Sequence, residues 1–291
     1  MKKIAIAAAV SVALSAGVAQ AYQVGTFSNG FVVPNVIHNG PSDTTAVGII
    51  GLSKVGDAVD HPFSVYWTFF DQDSQHQTDG CFPMTNNDFH SFVWANEAGT
   101  GYEGKRGYLL FAVSADQNCK GDAKPTGDAT ISASAFQVNT AAQDVAFVPV
   151  VDGPLTLVGD DNANLTTLDG NSLTKIKGAA SGGTTMYMRY AIDGKAGGDD
   201  TRIVVWSTGS QKGTHTVNIY NDNQLRKSVN FVLAHDELDW FDPEQVAGRP
   251  ADYTDGFIAW AVPTSISSVF TYSVVSSPAF GAVQTLLGAH N

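Results

Sequence analysis

His235-Asp236-Glu237-Leu238-Asp239 is the densest run of titratable side chains in the chain, one imidazole and three carboxylates within five residues. Such a set of donors could bind a divalent metal or carry a proton. It equally fits a solvated polar turn leading into the segment Asp242 to Gly248. A second chemistry gathers around hard oxygen donors. Asp71, Asp73 and Asp79 fall in one turn, Asn221, Asp222 and Asn223 in a matching one, and Asp160-Asp161-Asn162 in a third. Calcium is the cofactor these oxygens would suit. None of the three fits the twelve-residue loop with spaced acids, a glycine and a terminal Glu, and Asn and Asp also serve hairpins by accepting local hydrogen bonds.

Aromatic side chains offer a third chemistry. Strict alternation places Tyr66, Phe70 and Tyr220 opposite Trp67, Phe69, Val217 and Ile219. If the second set points to the core, the first forms an exposed row, rimmed by Asn and Asp, on which sugar rings of a polysaccharide could stack. The competing expectation is that both faces are covered, between two units or under a helical turn. Trp94, Trp206, Trp240 and Trp260 read as core or strand residues.

Catalytic signatures are missing. The chain has no Gly-x-Ser-x-Gly elbow, no phosphate-cradling glycine loop, no His-Glu-x-x-His and no Cys-x-x-Cys. Paired carboxylates for glycoside hydrolysis are too numerous to single out. The expectation is therefore a non-catalytic protein, with a secreted hydrolase as the distant alternative.

These side chains need strands to hold them. Phe63 to Phe69, Ile203 to Trp206 and Thr216 to Tyr220 alternate apolar and polar residues, separated by Asn, Asp and Gly clusters, which predicts antiparallel sheet. Helix is confined to short turns. Asp242-Pro243-Glu244-Gln245-Val246-Ala247-Gly248 has an Asp N-cap, Pro at the first helical position and a Gly stop.

An internal repeat organises the whole chain. Phe82–Val113 and Phe231–Val262 align without a gap at an offset of 149 residues. Identities include Phe82/Phe231, Phe92/Phe241, Gly107/Gly256 and Ala112-Val113/Ala261-Val262. Upstream, Phe70-Asp71-Gln72-Asp73 pairs with Tyr220-Asn221-Asp222-Asn223, and Thr45 to Ile49 with Thr201 to Val205. The histidines do not recur between the copies, which argues against an inherited catalytic site. The reading is all-β: two tandem, duplicated antiparallel β-sandwich-like units with few short helical turns. Residues 22–144 form the first unit and 145–291 the second, with an Asp/Asn/Gly-rich insertion at 153–184.

Residues 1–21 stand apart. Lys2 and Lys3 precede an apolar run from Ile4 to Val18, and Ala19-Gln20-Ala21 supplies a small-x-small cleavage pattern, as in a bacterial secretory signal peptide. The mature chain is then periplasmic or extracellular, without membrane insertion. Cleavage takes the net charge of the 291-residue chain from −12 to −14. That sign disfavours nucleic acid and anionic membrane surfaces as partners. Cys81 and Cys119, an even pair in an exported chain, read as a structural disulfide. Low charge content and the duplication point to a structural or protein-interaction role. The expected partner is a second copy or another exported protein, and the alternative is a carbohydrate-binding module.

Overall fold

An alternating strand has an apolar face that must be covered, so sheets pack in layers. The computed structural model describes residues 25–53, 62–120, 126, 128–140, 144–153, 155–157, 173–176, 179–195 and 197–291. The expected leader and most of the insertion at 153–184 lie outside them. Sheet I runs β5 (Asp88–Val93), β2 (Asp43–Ser53), β7 (Ala129–Asn139), β8 (Asp144–Val148). Sheet II runs β4 (His76–Met84), β3 (Phe63–Asp71), β6 (Arg106–Ser114), β1 (Gly30–Ile37), β9 (Val151–Asp152). Sheet III runs β16 (Leu238–Phe241), β13 (Asp200–Ser207), β18 (Val269–Ser277), β19 (Ala282–Leu287). Sheet IV runs β15 (Arg226–Leu233), β14 (Gly213–Asn221), β17 (Asp255–Ala261), β12 (Thr185–Ala191), β20 (Ala289–His290). The ribbon of β10 (Leu155–Leu157) and β11 (Leu173–Ile176) lies in the insertion. The fold is all-β, and every strand pair in the four sheets is antiparallel.

Sheets I and III have the same strand order, and so do II and IV, each strand matching the one eleven places later in the chain. The aligned glycines show why the match reaches single residues. Gly107 pairs with Asp71 and Gly256 with Asn221. A Cβ on Gly107 would collide with the Phe70 carbonyl oxygen, and one on Gly256 with that of Tyr220. Both copies thus need glycine where β6 and β17 enter their sheets.

Pairing places the end of the first set of sheets beyond the expected boundary at 144. β8 pairs with β7, and β9 pairs with β1, so the first set reaches Asp152. The apolar run Val145–Val150 resembles Gly30–Pro34 because it too lies against this core, with β8 at the edge of sheet I that faces β1 of sheet II.

Sheets I and II enclose Phe31, Trp67, Phe69, Phe92, Trp94 and Phe111. Sheets III and IV enclose Met186, Met188, Ile203, Val205, Ile219 and Trp260. Sheet II is apolar on its other face as well, and there Val32, Tyr66, Phe70, Tyr108 and Leu110 join the second core through Val204, Trp206 and Tyr272. The Tyr108 and Trp206 rings lie 5.7 Å apart across this contact. The layers therefore run I, II, III, IV.

The disulfide Cys81–Cys119 ties β4 to the segment after β6. The expected helical turn is a 3-10 turn, Pro243–Gln245, whose N-cap Asp242 accepts from Glu244 N–H at 2.7 Å. Its counterpart is the short helix α1 (Trp94–Ala98), which has no side-chain cap. Among the described residues, no helix is long and apolar enough to cross a membrane.

Candidate functional site

The six described residues among the nine hard-oxygen donors do not converge. The Asp71 carboxylate serves its own turn, accepting from Asp73 N–H at 3.1 Å, Gln75 N–H at 2.9 Å and the Gln77 amide at 2.8 Å. Asn221 repeats that role in the other copy, accepting from Asn223 N–H at 3.1 Å and Leu225 N–H at 2.8 Å. Asp222 accepts from the Asn223 amide, and Asp79 lies 3.3 Å from His76. Local hydrogen bonding, the competing use of Asn and Asp in hairpins, accounts for these positions. Asp160-Asp161-Asn162 lies outside the described residues.

Asp73 is different, because it reaches the densest titratable run. His235 Nδ1 lies 3.1 Å from Asp73 Oδ2, and Asp236 N–H donates to Asp73 Oδ1 at 3.1 Å. Glu237 and Leu238 N–H both donate to the Gln72 carbonyl at 3.1 Å. The β3–β4 turn is thereby latched to the β15–β16 turn across the contact between sheets II and III. Burial raises the Asp73 carboxyl, but its hydrogen bonds to His235 and Asp236 outweigh that and hold it below the ordinary carboxylate value. Burial pushes Glu237 up to about 7, helped by the charges of Asp236, Asp73 and Asp71 and opposed by the Ser74 hydroxyl. Ser74 in turn bonds the Tyr108 hydroxyl at 2.6 Å. The cluster is thus an internal fastening.

Among the described residues, one group of three potential ligand atoms lies mutually within 4.8 Å, on Asp200, Asp242 and Glu244. Burial and the neighbouring Asp242 charge raise the Asp200 carboxyl. Asp242 and Glu244 sit in the turn already read as a helix cap. Asp200 is brought to them by β13, a long-range approach with no local sequence signal.

The aromatic row opens only in part. Tyr66 and Phe70 do point away from the first core, as alternation requires, but sheet III covers them and they are buried. They cannot stack on a soluble sugar. Tyr220 occupies the equivalent place on sheet IV and remains half-exposed. It stacks on Phe257 at 4.6 Å, with Tyr187 6.1 Å beyond. Asn218, Ser228 and Arg189 surround this ridge.

One open apolar surface is absent from the sequence reading. The outer face of sheet I carries Ile50, Phe89, Phe136, Val145 and Phe147, each between 38% and 63% exposed. Phe89 pairs with Ile50, and Phe136 with Phe147, so the five form two clusters. Between them runs a row of small residues, Ser91, Gly48 and Ser134. No residue on this face from Ala46 to Ile50, or across from them on β5, β7 and β8, is charged, in a chain of net charge −12. The signal was available as outward positions of β2, β5, β7 and β8 filled by apolar side chains.

No family model matches the chain, and no curated protein matches it in sequence. Among solved structures, a lectin from Pleurotus ostreatus in complex with GalNAc aligns over 91% of this chain and 86% of its own, at 9% identity. The TM-score of 0.17 is too low for that likeness to bear on fold or ligand.

Proposed function

We propose that this is an exported bacterial protein with a non-catalytic, structural or protein-interaction role in the periplasm or outside the cell. The supporting observation is the uncharged outer face of sheet I, with five large apolar side chains open to solvent. Clustered exposed apolar side chains of this kind on a folded chain mark a docking surface more often than a solvated one. The leader-like residues 1–21 and the disulfide Cys81–Cys119 support export. The test is to fractionate producing cells. The chain is expected in the exported fraction, beginning at Tyr22 by mass and migrating in a species larger than one copy, with Phe89→Lys returning it to single-copy size. A chain that stays in the cytoplasm, or that is a single copy with or without Phe89, sinks this reading.

Carbohydrate binding is the second reading, favoured by the Tyr187–Phe257–Tyr220 ridge and its polar rim. Soluble polysaccharide should then quench the intrinsic fluorescence, and Tyr220→Ala should abolish the quenching.

A further inference from the structure

We propose that copies of this chain assemble head to tail, the outer face of sheet IV on one copy docking onto the outer face of sheet I on the next. The proposal rests on the interaction reading above and names its partner as a second copy. Inside one chain, the outer face of sheet II closes on the outer face of sheet III. By strand order, sheet IV is the counterpart of II, and sheet I the counterpart of III. The same kind of contact is therefore made once within the chain, and among the described residues one half of it is left open at each end.

The correspondence holds for individual side chains. On the closed face Phe70 stacks on Tyr108, with centroids 5.2 Å apart and planes at 17°. On the open face Tyr220 stacks on Phe257, at 4.6 Å and 11°. Both pairs sit directly opposite each other in their sheets. The closed stack is covered by Trp206 of sheet III. Among the described residues none covers the open one, and Tyr187 extends it into a ridge.

The receiving face differs from sheet III along its middle row, where the Phe89 ring leans over Gly48. Where sheet III places Trp240, Val204 and Tyr272 side by side, sheet I has Ser91, Gly48 and Ser134. The rows beside them carry Phe89 and Ile50 on one side and Phe136 and Phe147 on the other. A contact between two different faces is heterologous, so each docked copy presents the same pair of open faces again. The assembly extends as a stack unless its rotation closes a ring.

The test is light scattering behind size exclusion on the full mature chain at rising concentration, with Phe89→Lys and Phe257→Lys variants. Wild type should grow past two copies. Each variant alone should lose association by about tenfold or more, as expected for a central aromatic anchor. Mixing the two should give a one-to-one pair that grows no further, since each retains the face the other lacks. Circular dichroism and thermal melts establish that the variants fold, with Tyr187→Lys as a second variant if Phe257→Lys does not. A two-copy plateau that Phe257→Lys leaves unchanged would mean sheet I pairs with itself and would overturn the proposal. So would a single copy at every concentration, or assembly only with another exported protein. That last result would leave the interaction reading standing, while a single copy that also binds no partner would remove both.

Discussion

Glu237 is held half-buried between two turns with its carboxyl pushed up to about 7 from an ordinary 4.5. The folded chain therefore holds this proton more tightly than the unfolded one. The stability it contributes is fully present below the ordinary value and is lost as pH rises through about 7. Asp152, which is buried and accepts from Thr26 N–H at 2.8 Å, acts in the same direction, raised by burial to about 6. Asp73 acts in the opposite direction. Its carboxyl is lowered, so its contribution is present above the ordinary value and is lost as pH falls through the folded one. Of these three groups, Glu237 and Asp152 favour the acidic side and Asp73 the neutral side. Glu237→Gln mimics the protonated side chain. It should stabilise the protein at pH 8 by on the order of 1 kcal/mol, after allowance for screening at a half-exposed site, and leave it unchanged at pH 4. Urea melts at the two pH values check this, and an equal gain at both would refute it.

The two hairpin turns show one element used in two ways. Ser74 and Gln224 occupy the same place in the β3–β4 and β14–β15 turns, with φ of +54° and +63°. Glycine relieves the strain of that conformation, so Gln224→Gly, at an exposed tip, should stabilise by about 0.5–1 kcal/mol. Ser74→Gly gains the same relief but removes the partner of the buried Tyr108 hydroxyl, a cost of about 1–3 kcal/mol. It should be net destabilising, and thermal melts of the two variants side by side decide the point. The sequence carried the turns, the glycines and the inward faces, because each depends on neighbours in the chain. It could not say which outward faces are covered. Phe70 and Tyr220 obey the same alternation, yet one is buried and the other open, because sheet II, unlike sheet IV, has another unit docked on it. The Asp73–His235 latch was hidden for the same reason, its two residues lying in different copies of the repeat. Val145–Val150 misled because an apolar strand at the end of one sandwich looks like the strand that opens the next.

Sequential sandwiches in one chain need not unfold together, and the contact between sheets II and III decides whether these do. It joins Val32, Tyr66, Phe70, Tyr108 and Leu110 to the core of the second pair of sheets, and the Asp73–His235 latch fastens one side. On the other side, Thr285 donates its hydroxyl to the Phe147 carbonyl at 2.6 Å, bringing β19 against β8. A polar cavity of about 260 Å³, lined by Gln137, Asp144, Asp200 and Arg202 among others, lies beside that edge. Parting the units would expose large aromatic side chains on both surfaces, and each fully buried one stabilises by about 1.5–3 kcal/mol. Neither half keeps its outer face dry without the other. One cooperative transition is therefore expected, with calorimetric and van't Hoff enthalpies that agree. Trp206 is fully buried at the centre of the contact, so Trp206→Ala should cost about 3–5 kcal/mol. In a coupled molecule that loss lowers the single transition as a whole. If the halves are independent, wild type shows two resolved transitions and Trp206→Ala shifts only the one belonging to residues beyond Asp152. Differential scanning calorimetry of the two proteins separates the outcomes, and two wild-type peaks would mean that the II–III contact is a docking of finished domains.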